Sequence, residues 1–138
     1  MSDEYDTIFQ RQGARFNVDW RLLKAIAMKE SSLNPFAINR SDPSVGMMQI
    51  LCSGYPGSKT CQNRFNIQSW PPQKSEDLLN AETNIFYGAQ ILSSNIKAYG
   101  FRKGVAVYNN WSARLQEEPF SNQGYLDTVI KIYGELIA

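Results

Sequence analysis

Glu30 stands in the run Lys29-Glu30-Ser31-Ser32-Leu33-Asn34-Pro35, at the end of a strongly apolar helical stretch, in a chain with no histidine. Without histidine there is no Ser-His-Asp or Cys-His relay and no ordinary His-ligated zinc site, so acid–base chemistry falls mainly to a carboxyl group. A carboxylate at a helix C-terminus meets the negative end of the macrodipole, and partial burial disfavours its charge further. Both effects raise its pKa. A carboxylic acid that stays protonated near neutral pH can hand a proton to a leaving-group oxygen, which is what cleavage of a glycosidic bond requires.

The elements that must position Glu30 are mostly helical. Tyr5, Ile8, Phe9 and Phe16 fall at helical spacing and predict a first amphipathic helix over 5–16, with Asp3 or Asp6 at its start. Asn17 or Asp19 is the expected cap of a second, central helix, apolar around most of its circumference through Trp20, Leu22, Leu23, Ala25, Ile26, Ala27 and Met28. Asn34-Pro35 stops it, because the residue before proline is pushed out of the α region. After a loop over 36–44, Pro43 fits the first turn of a short helix carrying Val45 to Leu51, which would let Glu30 and Gln49 face one cleft. The stretch 52–73, rich in Gly and Pro, reads as a long surface loop with room for one short hairpin, anchored by Trp70. Further helices are expected from Ser75 to Tyr99, stopped by Gly100, then over 101–109 and 124–137.

Composition bounds the rest. A chain of 138 residues, 43% hydrophobic and 20% charged, suits one compact domain spanning 1–138 with a real core. A formal charge of +1 recommends neither nucleic acid nor an anionic membrane as partner, and a monomer binding a neutral ligand fits better. No apolar run approaches the roughly 20 residues of a membrane span, and the polar start Met1-Ser2-Asp3-Glu4 does not resemble a signal peptide. Cys52 and Cys61 bracket a short polar segment. A disulfide there would constrain the loop by roughly 2–3 kcal/mol, and two free thiols are the alternative reading. Two thiols without histidine make a poor metal site, and no cofactor is called for.

Several separated segments resemble, in order, the motifs of the soluble-type (SLT) lytic transglycosylases, a branch of the lysozyme-like fold that also includes goose-type lysozyme. Glu30-Ser31 with Asn34-Pro35 is similar to the family's catalytic Glu-Ser motif, and Gly46-Met47-Met48-Gln49-Ile50 to its Gly-Leu-Met-Gln motif. Asn84-Ile85 with Gly88 and Leu92 resembles its Asn-Ile-x-x-Gly helix. Ala106-Val107-Tyr108-Asn109 resembles its Ala-Tyr-Asn motif, and Tyr125-Leu126 with Val129 and Tyr133 its closing helix. The resemblance implies a mainly α, lysozyme-like helical domain that acts on peptidoglycan glycan strands in the periplasm or cell wall. The settings it suggests are a phage lysis or virion-associated enzyme, or the excised catalytic domain of a larger bacterial protein.

Residue by residue, the resemblance implies that Glu30 protonates the oxygen bridging N-acetylmuramic acid and N-acetylglucosamine. It then serves as the base that closes the muramic acid 6-hydroxyl onto its own anomeric carbon, giving a 1,6-anhydro product without water. Gln49 would present an amide to a sugar or to the glutamate, and Tyr108 a phenol to the acid or the substrate's acetamido group. Asn109 would bind substrate or brace its turn, Ser31 would hydrogen-bond the acid or cap a turn, and Met48 and Leu51 would wall the sugar pocket. Gly46 reads as a packing requirement. The pattern departs from the family where Asn110-Trp111 replace Ala-Gly, and where Pro119-Phe120-Ser121-Asn122-Gln123 lacks the glutamate usual before the last helix. Tyr55 and Trp70 could stack on sugars or simply anchor their loop.

Two rival readings stand beside this one. A lysozyme-type muramidase would hydrolyse the same bond with a second carboxylate, for which Asp42 is the best candidate. An inactive glycan-binding module would keep the fold without the chemistry.

Overall fold

A computed structural model describes residues 3–52 and 75–138. Among these lie α1 (Asp6–Phe16), α2 (Trp20–Ser31), β1 (Ile38–Asn39), β2 (Ser44–Val45), β3 (Ile50–Leu51), α3 (Ala81–Tyr99), α4 (Phe101–Asn109) and α5 (Gln123–Ile137). Short 3₁₀ turns at Ser75–Leu79 and Trp111–Leu115 precede α3 and follow α4.

The helix boundaries follow local chemistry. Asn17 sits in the left-handed region at φ 58° and ends α1, so it is not the cap of α2. That cap is Asp19, whose side chain accepts from the Arg21 amide at 3.0 Å. Asp6, in the first turn of α1, accepts from the buried Lys24 ammonium at 2.7 Å and ties α1 to α2. The long helical pattern expected from Ser75 is interrupted by Asn80, which caps α3 through a 3.0 Å bond from the Thr83 amide.

The core is built by Phe9 of α1, Leu22, Leu23 and Ile26 of α2, Ile85 and Leu92 of α3, Val105 of α4 and Leu126 of α5, all essentially inaccessible. Burying side chains of this size stabilises by roughly 1.5–3 kcal/mol each before conformational entropy is subtracted. Helix α3 is surrounded, which explains why its apolar residues cover so much of its circumference. Gly88 on α3 admits the Met48 side chain so closely that an added Cβ would lie 2.3 Å from its sulfur.

The short helix expected over 43–51 is not there. Residues 38–51 form an antiparallel three-stranded sheet in the order β1-β2-β3, with Ile38 opposite Val45 and Val45 opposite Ile50. Gly46 at φ 81° and Gln49 at φ 53° occupy left-handed backbone, which an α-helix cannot contain. A short apolar run buried on both faces has no diagnostic period, which is why Val45 to Leu51 could be taken for a helical turn. The expected hairpin within 52–73 falls on residues 53–73, outside the described residues, as do Cys61, Tyr55 and Trp70. Cys52 itself is fully buried and is not a free thiol.

Candidate active site

Helix α2 ends under strain. Ser32 and Leu33 both take positive φ, 54° and 62°, a conformation costing non-glycine residues roughly 1–2 kcal/mol each. The reversal turns the chain out of the helix just past Glu30, in its last turn, and leaves that side chain half-buried against α5. There the Tyr125 hydroxyl donates to Glu30 Oε2 at 2.9 Å.

Burial is the main influence on the Glu30 carboxyl and, with the Asp42 charge adding to it, pushes its pKa up to about 7 against the Tyr125 hydrogen bond and the Lys29 charge. Among the described residues no ion pair forms on Glu30. A helix-end carboxylate paired with Lys29 or Arg40 is therefore not the arrangement found. The phenols of Tyr108 and Tyr125 are raised well above the ordinary tyrosine value, first by burial and then by the Glu30 charge, so both remain proton donors at neutral pH.

The turn between β2 and β3 is latched from three helices. Ser31 Oγ of α2 donates to the Met47 carbonyl at 2.6 Å, with the Ala27 carbonyl at 3.1 Å. Tyr108 of α4 donates to the Met48 carbonyl at 2.8 Å. Asn84 of α3, fully buried, accepts from the Met48 amide at 2.7 Å and donates to the carbonyls of Val45 at 2.8 Å and Leu78 at 2.9 Å. Gly46 is required there: a Cβ would stand 2.3 Å from Asn84 Nδ2 and 2.5 Å from the Leu78 carbonyl oxygen. Gln49 donates to the carbonyls of Ala37 and Gly46, each at 3.1 Å.

The residues expected to share the site thus divide. Tyr108 lies close enough to Glu30 for the glutamate charge to oppose ionisation of the phenol, yet its hydrogen bond goes to the turn. Ser31 bonds the same turn and not the acid. The Gln49 amide donors brace the loop before β1. Met48 is wholly inaccessible and belongs to the core, not to a pocket wall. Leu51 and Asn109, with Asp42, Ser44, Ile50, Ile91 and Tyr108, line a cavity of about 50 Å³, room for one small substituent and not a sugar ring. A cavity of about 590 Å³ lies between α1 and the start of α3 around Arg11 and Glu82, and shares no lining residue with this group.

Tyr125 is the site residue that the sequence reading left without a role. Its signal was a tyrosine in the first turn of an otherwise apolar terminal helix. Asn84 gave a similar signal, an amide set among apolar helix positions.

A family model for the transglycosylase SLT domain matches residues 7–128. The chain belongs to that family. It is 32% identical over 91 residues, 65% of its length, to the membrane-bound lytic murein transglycosylase C of Yersinia pestis strain Pestoides F, and equally to that of Yersinia pseudotuberculosis serotype O:1b. It spans only about a quarter of these curated relatives, 24% of their length. A solved inactive mutant of the lytic transglycosylase Slt from Pseudomonas aeruginosa has the same fold, with a TM-score of 0.72 at 17% identity over 98% of this chain and 24% of that one. The mainly helical, lysozyme-like architecture expected from the sequence is therefore the one found.

Proposed function

We propose that this SLT domain is a peptidoglycan lytic transglycosylase with Glu30 as its single acid–base group. The observation that carries the reading is a half-buried carboxyl with a pKa near 7, held by one phenol and unpaired with any cation among the described residues. At neutral pH such a group is present in both protonation states, which suits a residue that must first give a proton and then take one back.

In the proposed reaction, neutral Glu30 donates its proton to the oxygen bridging N-acetylmuramic acid and N-acetylglucosamine, and the C1–O bond breaks. Glu30 is then a carboxylate beside a cationic anomeric carbon that the substrate's acetamido group assists. The carboxylate takes the proton of the muramic acid 6-hydroxyl, whose oxygen closes onto C1. Glu30 ends neutral, no water is consumed, and the product is a 1,6-anhydro sugar. Tyr125 holds the carboxyl in place, Leu51 and Asn109 line the substrate side, and Ser31, Tyr108 and Gln49 keep the adjoining turn rigid. The site of action is the bacterial cell wall. No helix among the described residues is long and apolar enough to cross a membrane.

One observation favours a second reading. Asp42 lines the small cavity and its charge reaches Glu30, so it occupies a place from which a second carboxylate could serve hydrolysis. Mass spectrometry of digested cell walls separates the two outcomes, with anhydro ends expected and reducing ends supporting Asp42-assisted hydrolysis. Glu30→Gln should lower the rate by roughly 10²–10⁴-fold. A parent protein that clears walls no faster than Glu30→Gln, while both bind glycan, would leave only a binding module.

A further inference from the structure

We propose that the cavity between α1 and the start of α3 is a second binding site, which takes a short zwitterionic peptide by a free carboxylate. Naming a cell-wall peptide as its source rests on the peptidoglycan reading above; the cavity itself does not.

The cavity measures about 590 Å³, within the range of small-ligand sites, and none of its lining residues lines the small cavity beside Leu51 and Asn109. Arg11, Arg15, Asp77 and Glu82 give its lining both signs of charge in balance, which suits a ligand carrying both signs and not a polyanion. These charges are not equally committed. Arg11 donates to one oxygen of Glu82, and Gln12 Nε2 donates to the other. Arg15 forms no ion pair among the described residues and lies over the Phe86 ring, 5.4 Å from its centroid. Stacking engages the face of a guanidinium and leaves its N–H edge free for a carboxylate.

Gln12 supplies an independent signal. It lines the cavity at 2% exposure, and because its Nε2 serves the Glu82 carboxylate, its Oε1 is left as a buried acceptor with no partner among the described residues. Such an acceptor calls for an N–H or an ammonium. Gln12 and Arg15 stand three positions apart on α1 and so share one face of it. A carboxylate for Arg15 with an N–H donor beside it, for Gln12, is the pattern of an amino acid or a peptide end. A sugar fits less well, because Phe86 already meets Arg15 on its face and packs edge-to-face with Phe16 and Tyr87.

Calorimetry on the intact chain tests this with three probes: the stem peptide L-Ala-γ-D-Glu-meso-diaminopimelate-D-Ala, the same peptide with every carboxyl amidated, and the α-linked peptide L-Ala-L-Glu-L-Lys-L-Ala. Arg15→Gln should weaken the stem peptide about 10-fold. Amidation should cost wild type a similar factor but add less than about 2-fold in Arg15→Gln, because both changes remove one contact. Gln12→Leu, which deletes the acceptor at similar size, should weaken the stem peptide about 3-fold. Arg15 is exposed, so its variant keeps the test open if Gln12→Leu folds poorly. Binding of the stem peptide alone supports a cell-wall source, and equal binding of the α-linked peptide supports the carboxylate site with a wider range of peptides. No binding of either peptide by wild type, an affinity unchanged in Arg15→Gln, or displacement of the stem peptide by chitotetraose overturns the proposal. None of these measurements needs turnover, so a failure here leaves the Glu30 reading standing, and absence of anhydro products leaves this site standing.

Discussion

The end of α2 and the turn between β2 and β3 lie side by side, and they use their polar groups in opposite ways. In the turn the polar groups are engaged internally: the Met47 and Met48 carbonyls, the Met48 amide and the Gln49 amide all bond within the fold. At the helix end Glu30 has, among the described residues, one side-chain hydrogen bond, from Tyr125, and a carboxyl held far from its ordinary pKa. A satisfied turn can be a rigid wall, but it has little left to offer a substrate. An under-satisfied acid costs stability and keeps its reactivity. Family motifs alone give Gln49 and Glu30 similar weight, whereas the geometry makes Gln49 a brace and leaves Glu30 as the candidate acid.

Three experiments would break or sharpen that contrast. The largest effect is expected in the turn: Gly46→Ala places a Cβ against Asn84 and the Leu78 carbonyl at positive φ, and should cost about 3 kcal/mol or more. Chemical denaturation measures it. A loss below about 1 kcal/mol would mean that the turn yields and is not the wall described.

The next effect has the opposite sign. Folded Glu30 is protonated below about 7, whereas in the unfolded chain it ionises near 4.5. Between those values the folded state binds the extra proton, so the contribution of Glu30 is fully present below about 4.5 and is lost as pH rises through 7. Allowing for partial hydration, the loss should be roughly 2–3 kcal/mol. Glu30→Gln, slowed as a catalyst, should therefore be the more stable protein at pH 8, with the advantage vanishing toward pH 4.5. Paired melting curves across that window check it, and equal stability at pH 8 would show that the carboxyl is not desolvated.

The smallest effect tests the phenol. The Tyr125 hydrogen bond lowers the Glu30 pKa against burial, so Tyr125→Phe should move the alkaline limb of the rate profile to higher pH, by about 1 kcal/mol or one unit or less. A limb that moved downward would contradict the assigned direction of that bond.

The sequence by itself determined five of the expected helices and the family, and it singled out Glu30 as the candidate acid. Helices α1 to α5 came from apolar spacing, and Glu30 stood out because a histidine-free chain leaves few alternatives and because its motif sits at a helix end. Local signals suffice where the determining contacts are near in sequence, as with Asp19 and the Arg21 amide. What only the tertiary structure decided was the partner of each polar group. Tyr125 reaches Glu30 across 95 positions, Tyr108 reaches Met48 across 60, and Asn84 reaches Val45 across 39. Such pairings are set by how α5 packs on α2 and α4 on α3, and no local pattern encodes them. The same holds for the turn at 44–51: its apolar residues signal burial equally as helix or strand, and the left-handed backbone at Gly46 and Gln49 becomes favourable only once Asn84 and Tyr108 are there to bond it.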